Sequence, residues 1–182
     1  MKSQSYTIRK ATPADSARIE ALITVTARGV SPDDYTPEQM EAALKGTFGV
    51  DTDLINDGTF FVAEAGGHLV GCGGWSRRKK LFGGDTLPGQ DHGMLDPSRE
   101  PARIRAFFVH PAWARKGIGR AILDLCEAEA LEQGFTSIEL MATLPGIRFY
   151  SALGYEGSDR FEYHVTPNLT MQLLPMRKLL KP

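Results

Sequence analysis

The chain alternates short β-branched and aromatic runs with stretches whose apolar positions recur every three or four residues, the pattern of an α/β protein. Thr7-Ile8-Arg9-Lys10 predicts a short first strand. Thr12-Pro13-Ala14-Asp15 reads as a helix start, with a threonine cap, proline at the first helical position and aspartate in the first turn. Ile19, Leu22 and Ile23 form one apolar stripe, continued more weakly by Thr26. Thr36-Pro37-Glu38-Gln39 is a capping box that opens a second helix, carried on by Met40, Ala43 and Leu44.

Residues 59–65 and 68–76 are two strand-like runs joined by Gly66-Gly67, which favours a tight hairpin. Gly71, Gly73 and Gly74 weaken the second run and point to a bulge or a close backbone approach. Residues 79–102 carry Gly83-Gly84, Pro88, Gly89, Gly93, Pro97 and Pro101, a long irregular connection of the kind that is functional, oligomeric or mobile. A strand over 103–109 follows, then a helix from about 117 to 133. On that helix Ile118, Ile122, Leu125 and Cys126 share one face, and Arg120, Asp124 and Glu127 the other. Gly134 ends it. A strand over 137–141, a short helix over 145–153 closed by Gly154, and strands over 161–165 and 169–177 complete the chain. The sequence shows no internal repeat and no linker, so residues 1–182 are expected to form a single domain.

Composition narrows the function classes. The formal net charge of -1 gives no global footprint for nucleic acid. No apolar run approaches the roughly 20 residues of a membrane span. The N-terminal Met1-Lys2-Ser3-Gln4-Ser5-Tyr6 lacks the apolar core of a signal peptide. Cys72 and Cys126 lie in apolar segments without metal-ligand spacing and are expected to be buried free thiols, consistent with a reducing cytoplasm. Asp85, Asp91, His92 and Asp96 are spaced too irregularly for a metal site, and none is expected.

The candidate chemistry centres on the run from Val109 to Leu123. A strand feeds a short basic loop, Arg115-Lys116-Gly117-Ile118-Gly119-Arg120, and its two glycines open a helix. Helix N-termini present unpaired N–H groups and the positive end of the dipole, which suits a phosphate. A nucleotide, a dinucleotide and coenzyme A all satisfy that description. The dinucleotide fingerprint needs a third glycine where this chain has Ile122, and a Walker A loop needs Lys-Ser/Thr where it has Arg120-Ala121. Tight packing is the alternative role for Gly117 and Gly119.

Strand 103–109, this loop, the helix after it and Phe149-Tyr150-Ser151-Ala152-Leu153-Gly154-Tyr155 together resemble the GNAT superfamily of acetyl-CoA-dependent N-acetyltransferases. That family's loop reads Gln/Arg-x-x-Gly-x-Gly/Ala. Gly117 and Gly119 fit it; its first position falls on Ala114, with Arg115 displaced by one. The resemblance implies a three-layer α/β/α fold around a twisted, mixed sheet of about seven strands. Strands 103–109 and 137–141 would splay apart, joined by a right-handed crossover. It also implies acetyl transfer from acetyl-CoA to a primary amine, of a small molecule, directly within a ternary complex. A non-catalytic CoA-binding sensor or scaffold on the same fold is the alternative, and a homodimer is the family-level expectation.

Site residues follow from the same resemblance. The backbone of Arg115, Lys116, Gly117, Ile118, Gly119 and Arg120 would hold the pyrophosphate. Phe107, Phe108 and Val109 would pair with the pantetheine arm, one of their N–H groups polarising the thioester carbonyl. Tyr150 matches the family's general-acid tyrosine. Strand 103–109 carries no carboxylate for a general base; Glu139, His110 and Glu64 are the nearest alternatives, beside capture of neutral amine without a base. Asp33-Asp34-Tyr35 falls where relatives line the acceptor site, or serves as turn chemistry before the capped helix. The Arg77-Arg78-Lys79-Lys80 cluster is a solvated strand end, or meets an acidic partner or the cofactor's 3′-phosphate.

Overall fold

The computed structural model describes residues 5–181. Seven strands form one sheet in the order β1-β2-β3-β4-β5-β7-β6. They are β1 (Thr7–Lys10), β2 (Phe60–Ala65), β3 (His68–Ser76), β4 (Ala102–Val109), β5 (Ser137–Thr143), β6 (Phe161–Thr166) and β7 (Leu169–Leu179). The helices are α1 (Ser16–Arg28), α2 (Pro37–Gly46), α3 (Thr52–Asn56), α4 (Ile118–Glu132) and α5 (Ile147–Ala152). Among the described residues only the β4–β5 pair is parallel, and α4 makes its crossover.

That pair positions the site. β4 and β5 are in register at Ala102↔Ile138 and Arg103↔Glu139 alone. Beyond those rungs the two strands part among the described residues, leaving the later edge of β4 without a strand partner. The closed end is held by a row of alternating charges across three strands, Arg103, Glu139 and Arg177, with Arg103 ion-paired to Glu139. Opposite charges on neighbouring strands of one face attract.

One face of the sheet packs against α4 through Ile118, Ile122, Leu123, Cys126 and Ala130. Leu125, expected inside, is 40% exposed, and Leu123 is buried in its place. At 100° per residue the buried positions span one arc from Ile118 through Ile122, Cys126 and Ala130 to Leu123, and Leu125 falls just outside its other edge. The opposite face packs against α1 and α3 around Ile19, Ile23, Leu54 and Phe60. A third cluster carries α1 and α2 across to β6 and β7 through Ala27, Tyr35, Met40, Met171 and Leu173.

The N-terminal signals behave as expected locally. Thr36 and Gln39 form the capping box of α2. Thr12 and Asp15 form another, but on a 3-10 turn (Pro13–Asp15) that precedes α1. Asp15 is nearly buried and receives both arms of the Arg9 guanidinium at 2.8 Å, which holds its carboxyl far below the usual carboxylate range. The sequence reading has no α3; at five residues it is too short to show a period.

The long connection is tied down. Gly84 and Asp85 donate to the carbonyls of Thr47 and Val50, and the Leu95 N–H donates to the Arg77 carbonyl. Arg78 holds Asp57 through two 2.7 Å bonds, and His92 Nδ1 lies 2.6 Å from Asp53. The cluster at 77–80 is therefore no solvated strand end: Arg78 is paired and Lys80 is buried.

Candidate active site

The glycines of β3 explain why the later half of β4 sits as it does. Cys72 pairs with Phe108 and Gly74 with Arg105, so Ala106 and Phe107 face the single residue Gly73. This is a β-bulge, and Ala106 takes a left-handed φ of 56° to make it. A Cβ on Gly73 would lie 2.3 Å from the Phe107 ring, and one on Gly71 2.6 Å from Ile118 Cγ2. Both positions clear seats, for a β4 aromatic and for the first residue of α4. After the bulge, Phe107 packs on the α4 side and Phe108 on the other, edge-on to Phe48 at 5.5 Å. Cys72 donates to the Ala106 carbonyl at 3.3 Å. Burial pushes its thiol up to about 12, so it remains a thiol rather than a nucleophile.

The chain leaves β4 through His110, turns at Pro111–Trp113 and enters the basic loop. Arg115 has a φ of 65° and Gly117 of 81°. A left-handed arginine is uncommon and strained, and such strain clusters at ligand clamps. Arg115, Lys116, Gly117 and Arg120 are exposed. Lys116 Nζ rests 4.4 Å from the centre of the Trp113 ring. Gly117 caps α4, whose first-turn N–H groups have no carbonyl within the helix to accept them. Loop and helix end thus offer N–H groups and positive charge to an anion.

Two residues of the loop differ from the expectation in detail. Ile118 is part of the core, so its side chain is not available to a ligand. Gly119 is held by packing: a Cβ there would meet Phe149 Cζ at 3.1 Å. That contact draws α5 against the first turn of α4.

Tyr150 sits on α5, and Gly146 makes room for its ring. It packs edge-on against Phe149 at 5.0 Å, Tyr155 at 5.7 Å and Phe107 at 6.3 Å. A run of contacts therefore joins the loop (Gly119) through Phe149 and Tyr150 to the bulged half of β4 (Phe107). Among the described residues the Tyr150 hydroxyl has no hydrogen-bond partner, yet it is not fully enclosed. Burial raises its pKa well above the usual 10, so the phenol stays protonated at neutral pH. Tyr155, by contrast, donates to Glu127 at 2.9 Å, and Lys178 holds the other oxygen of that carboxylate at 2.7 Å.

Across the sheet from α4 lies an aromatic patch. Phe48 and Phe108, and Phe82 and Tyr163 at 5.1 Å, form two edge-to-face pairs. Thr47 bridges them by donating to the Tyr163 hydroxyl at 3.3 Å. Tyr35 is buried and works as a clamp: it donates to the Gln172 carbonyl at 2.5 Å and accepts from Leu144 at 2.9 Å. Asp33 is exposed and Asp34 half-buried beside it. Each general-base alternative already has a partner. Glu139 is paired with Arg103, His110 Nδ1 accepts from Ala112, and Glu64 is held by Arg9 and Arg18. Asp85 receives the N–H of Thr52, His92 binds Asp53, and Asp91 and Asp96 brace their own turns, so these four do not converge.

The model of the acetyltransferase (GNAT) family matches residues 24–155. The chain belongs to the GNAT acetyltransferase family. This GNAT domain is an acetyltransferase, and its cosubstrate is acetyl-CoA, for which the loop, the α4 terminus and the β4–β5 gap are a fitting cradle. Solved structures share its fold. A GCN5-related N-acetyltransferase from Rhodopseudomonas palustris is 20% identical, with 99% of each chain covered and a TM-score of 0.70. The PaiA N-acetyltransferase of Thermoplasma acidophilum, in complex with coenzyme A, is 17% identical over 96% of this chain and 99% of its own, with a TM-score of 0.65. YncA of Salmonella typhimurium, a putative acetyltransferase with acetyl-CoA, is 21% identical over 98% and 95%, with a TM-score of 0.61. No curated protein matches the sequence. No helix is long and apolar enough to cross a membrane among the described residues.

The β3 glycines pointed to a bulge or close approach, and one is there, but the sequence reading did not place its extra residue on β4 at Ala106, nor the buried ion cluster beneath it. The signal for the bulge was present as three glycines in β3 opposite Phe107-Phe108. Nothing in the spacing of Asp51, Lys80 and Arg105 brings them together.

Proposed function

We propose that the chain is a single N-acetyltransferase domain that acetylates the primary amine of a small molecule by direct transfer in a ternary complex. The contact run from Gly119 through Phe149 and Tyr150 to Phe107 carries this reading, because it ties the phosphate loop, a protonated phenol and the parted β4 edge into one site. Acetyl-CoA supplies the thioester and a leaving thiol. The amides of Arg115, Lys116, Gly117, Ile118, Gly119 and Arg120 hold the pyrophosphate, helped by the three basic side chains. The N–H groups of Phe107, Phe108 and Val109 line the pantetheine arm, and one of them stabilises negative charge developing on the thioester oxygen. Tyr150 donates its proton toward the leaving sulfur.

The aromatic wall of Phe48, Phe108, Phe82 and Tyr163 favours a compact acceptor, and Asp33 and Asp34 at the rim attract a cationic amine. With the three base alternatives engaged elsewhere, the site captures the neutral fraction of the amine. A homodimer and a cytoplasmic location belong to the same proposal; two unpaired, buried cysteines fit a reducing compartment. The test is thiol release from acetyl-CoA with polyamines, amino sugars, amino acids and peptides. Release above hydrolysis with a small amine is expected. None with any amine, alongside tight acetyl-CoA binding, would instead favour a CoA-binding sensor, for which the absence of a free carboxylate near β4 is the motive.

A further inference from the structure

Directly beneath the bulge lies a cluster of charges that the chemistry above does not use. Arg105, the residue before Ala106, Asp51 before α3 and Lys80 in the long connection each have side chains 1% exposed. Arg105 Nε lies 3.3 Å and Lys80 Nζ 3.4 Å from the same oxygen, Asp51 Oδ2. Arg105 also donates to Ser76 Oγ at 3.1 Å and to the Lys80 carbonyl at 3.4 Å. Lys80 Nζ donates to the Gly84 carbonyl at 3.5 Å. Both Asp51 oxygens and Arg105 Nε are buried without a hydrogen bond.

Such a cluster is a poor way to gain stability. Buried charges lose hydration, and apolar side chains of like volume often serve the fold as well or better. Its place in the chain is more telling. Ala106 holds a left-handed backbone that an alanine does not choose freely. A regular β4 would remove that strain, but it would slip the register by one and turn Phe107, Phe108 and Val109 to opposite faces. Arg105 is pinned by partners from three other segments: Asp51 at the start of α3, Ser76 at the end of β3 and Lys80 in the connection. Its guanidinium fork fixes direction as well as position. Phe107 lying over Gly73 fixes the residue on the other side of Ala106.

We propose that Arg105, clamped by Asp51, Lys80 and Ser76, is a positioning residue that holds the β4 bulge and so aims the N–H groups of Phe107–Val109 at the thioester. This rests on the acetyltransferase reading of the same site. The discriminating variant is the triple Asp51→Leu/Lys80→Met/Arg105→Met, which removes every charge and roughly conserves the summed volume. Its thermal midpoint is expected at or above that of the native chain. Acetyl-CoA affinity by calorimetry should stay within threefold, because the pyrophosphate loop is untouched. Turnover with the best amine should fall at least tenfold, and the Ala106 Cα chemical shift should move from its left-handed value to an extended one.

A triple variant with native turnover or an unmoved Ala106 shift overturns the proposal. The Ala106 shift needs no turnover, so it decides the question even if no amine is acetylated and the enzymatic reading fails. Should the triple variant not fold, Arg105→Lys decides: it keeps the charge and loses the fork. Turnover three- to tenfold lower with an unchanged midpoint and a shifted Ala106 resonance supports the clamp, and a native rate and shift refute it.

Discussion

Replacing Tyr150 with phenylalanine separates chemistry from packing unusually cleanly. The ring's contacts with Phe149, Tyr155 and Phe107 survive the change. The hydroxyl that disappears has no partner among the described residues, so no donor or acceptor is orphaned. The expected stability change is therefore within about 0.5 kcal/mol. The chemical cost is larger. A phenol at its ordinary pKa of about 10 is roughly 1.5 units above a thiol near 8.5, about 2 kcal/mol uphill for full transfer. Burial of Tyr150 widens that gap. In the proposed mechanism the phenol therefore hydrogen-bonds the sulfur as charge builds and gives up its proton late. Loss of such a donor lowers kcat about a hundredfold, or about 2.7 kcal/mol. Steady-state thiol release, calorimetric binding of acetyl-CoA and thermal unfolding measure the three consequences. Affinity should stay within twofold and the unfolding midpoint within about 2 °C. Because Tyr150 is protonated throughout pH 6–9, any limb of the rate profile in that range should persist in the variant. Undiminished kcat, or a loss that tracks unfolding, refutes the assignment.

Further expectations concern the scaffold and the loop. Gly73→Ala puts a Cβ 2.3 Å from the Phe107 ring, so the ring must swing off its seat; kcat/KM should fall more than tenfold, with about 1–3 kcal/mol lost in urea unfolding. Arg115→Asn keeps a residue type that tolerates a left-handed φ, so stability should hold while acetyl-CoA binds several-fold more weakly, the difference shrinking in 0.5 M salt. Asp15→Asn removes the nearly buried end of the Arg9 pair; with Arg9 itself 40% exposed, about 2 kcal/mol should be lost at pH 7. Since the folded Asp15 pKa is depressed, that stability is present above the unfolded value near 3.9 and lost as pH falls below it. The variant's stability should accordingly change less with pH between 4 and 2.

Local signals carried most of the fold into the sequence. The cap at Thr12, the capping box at Thr36, the Gly66-Gly67 hairpin and the 3.6-residue period of α4 are all set by neighbours in the chain, and each appears close to where the pattern puts it. What stayed hidden depends on contacts between distant segments. Leu123 and Leu125 differ only in which side of an arc the sheet covers. Gly119 looks like a phosphate-binding glycine, but the ring of Phe149, thirty residues on, also requires it. Asp51, Lys80 and Arg105 meet only because α3, the long connection and β4 converge.

In the proposed function the loop before α4 cradles the pyrophosphate of acetyl-CoA. Arg115 and Arg120 are exposed and outside the core, so reversing both charges, Arg115→Glu with Arg120→Glu, leaves the fold intact. Calorimetric titration of acetyl-CoA into the native and doubly substituted chains is the test. One site per chain and affinity at least tenfold weaker in the variant are expected. Equal affinity in the two would contradict that role for the loop.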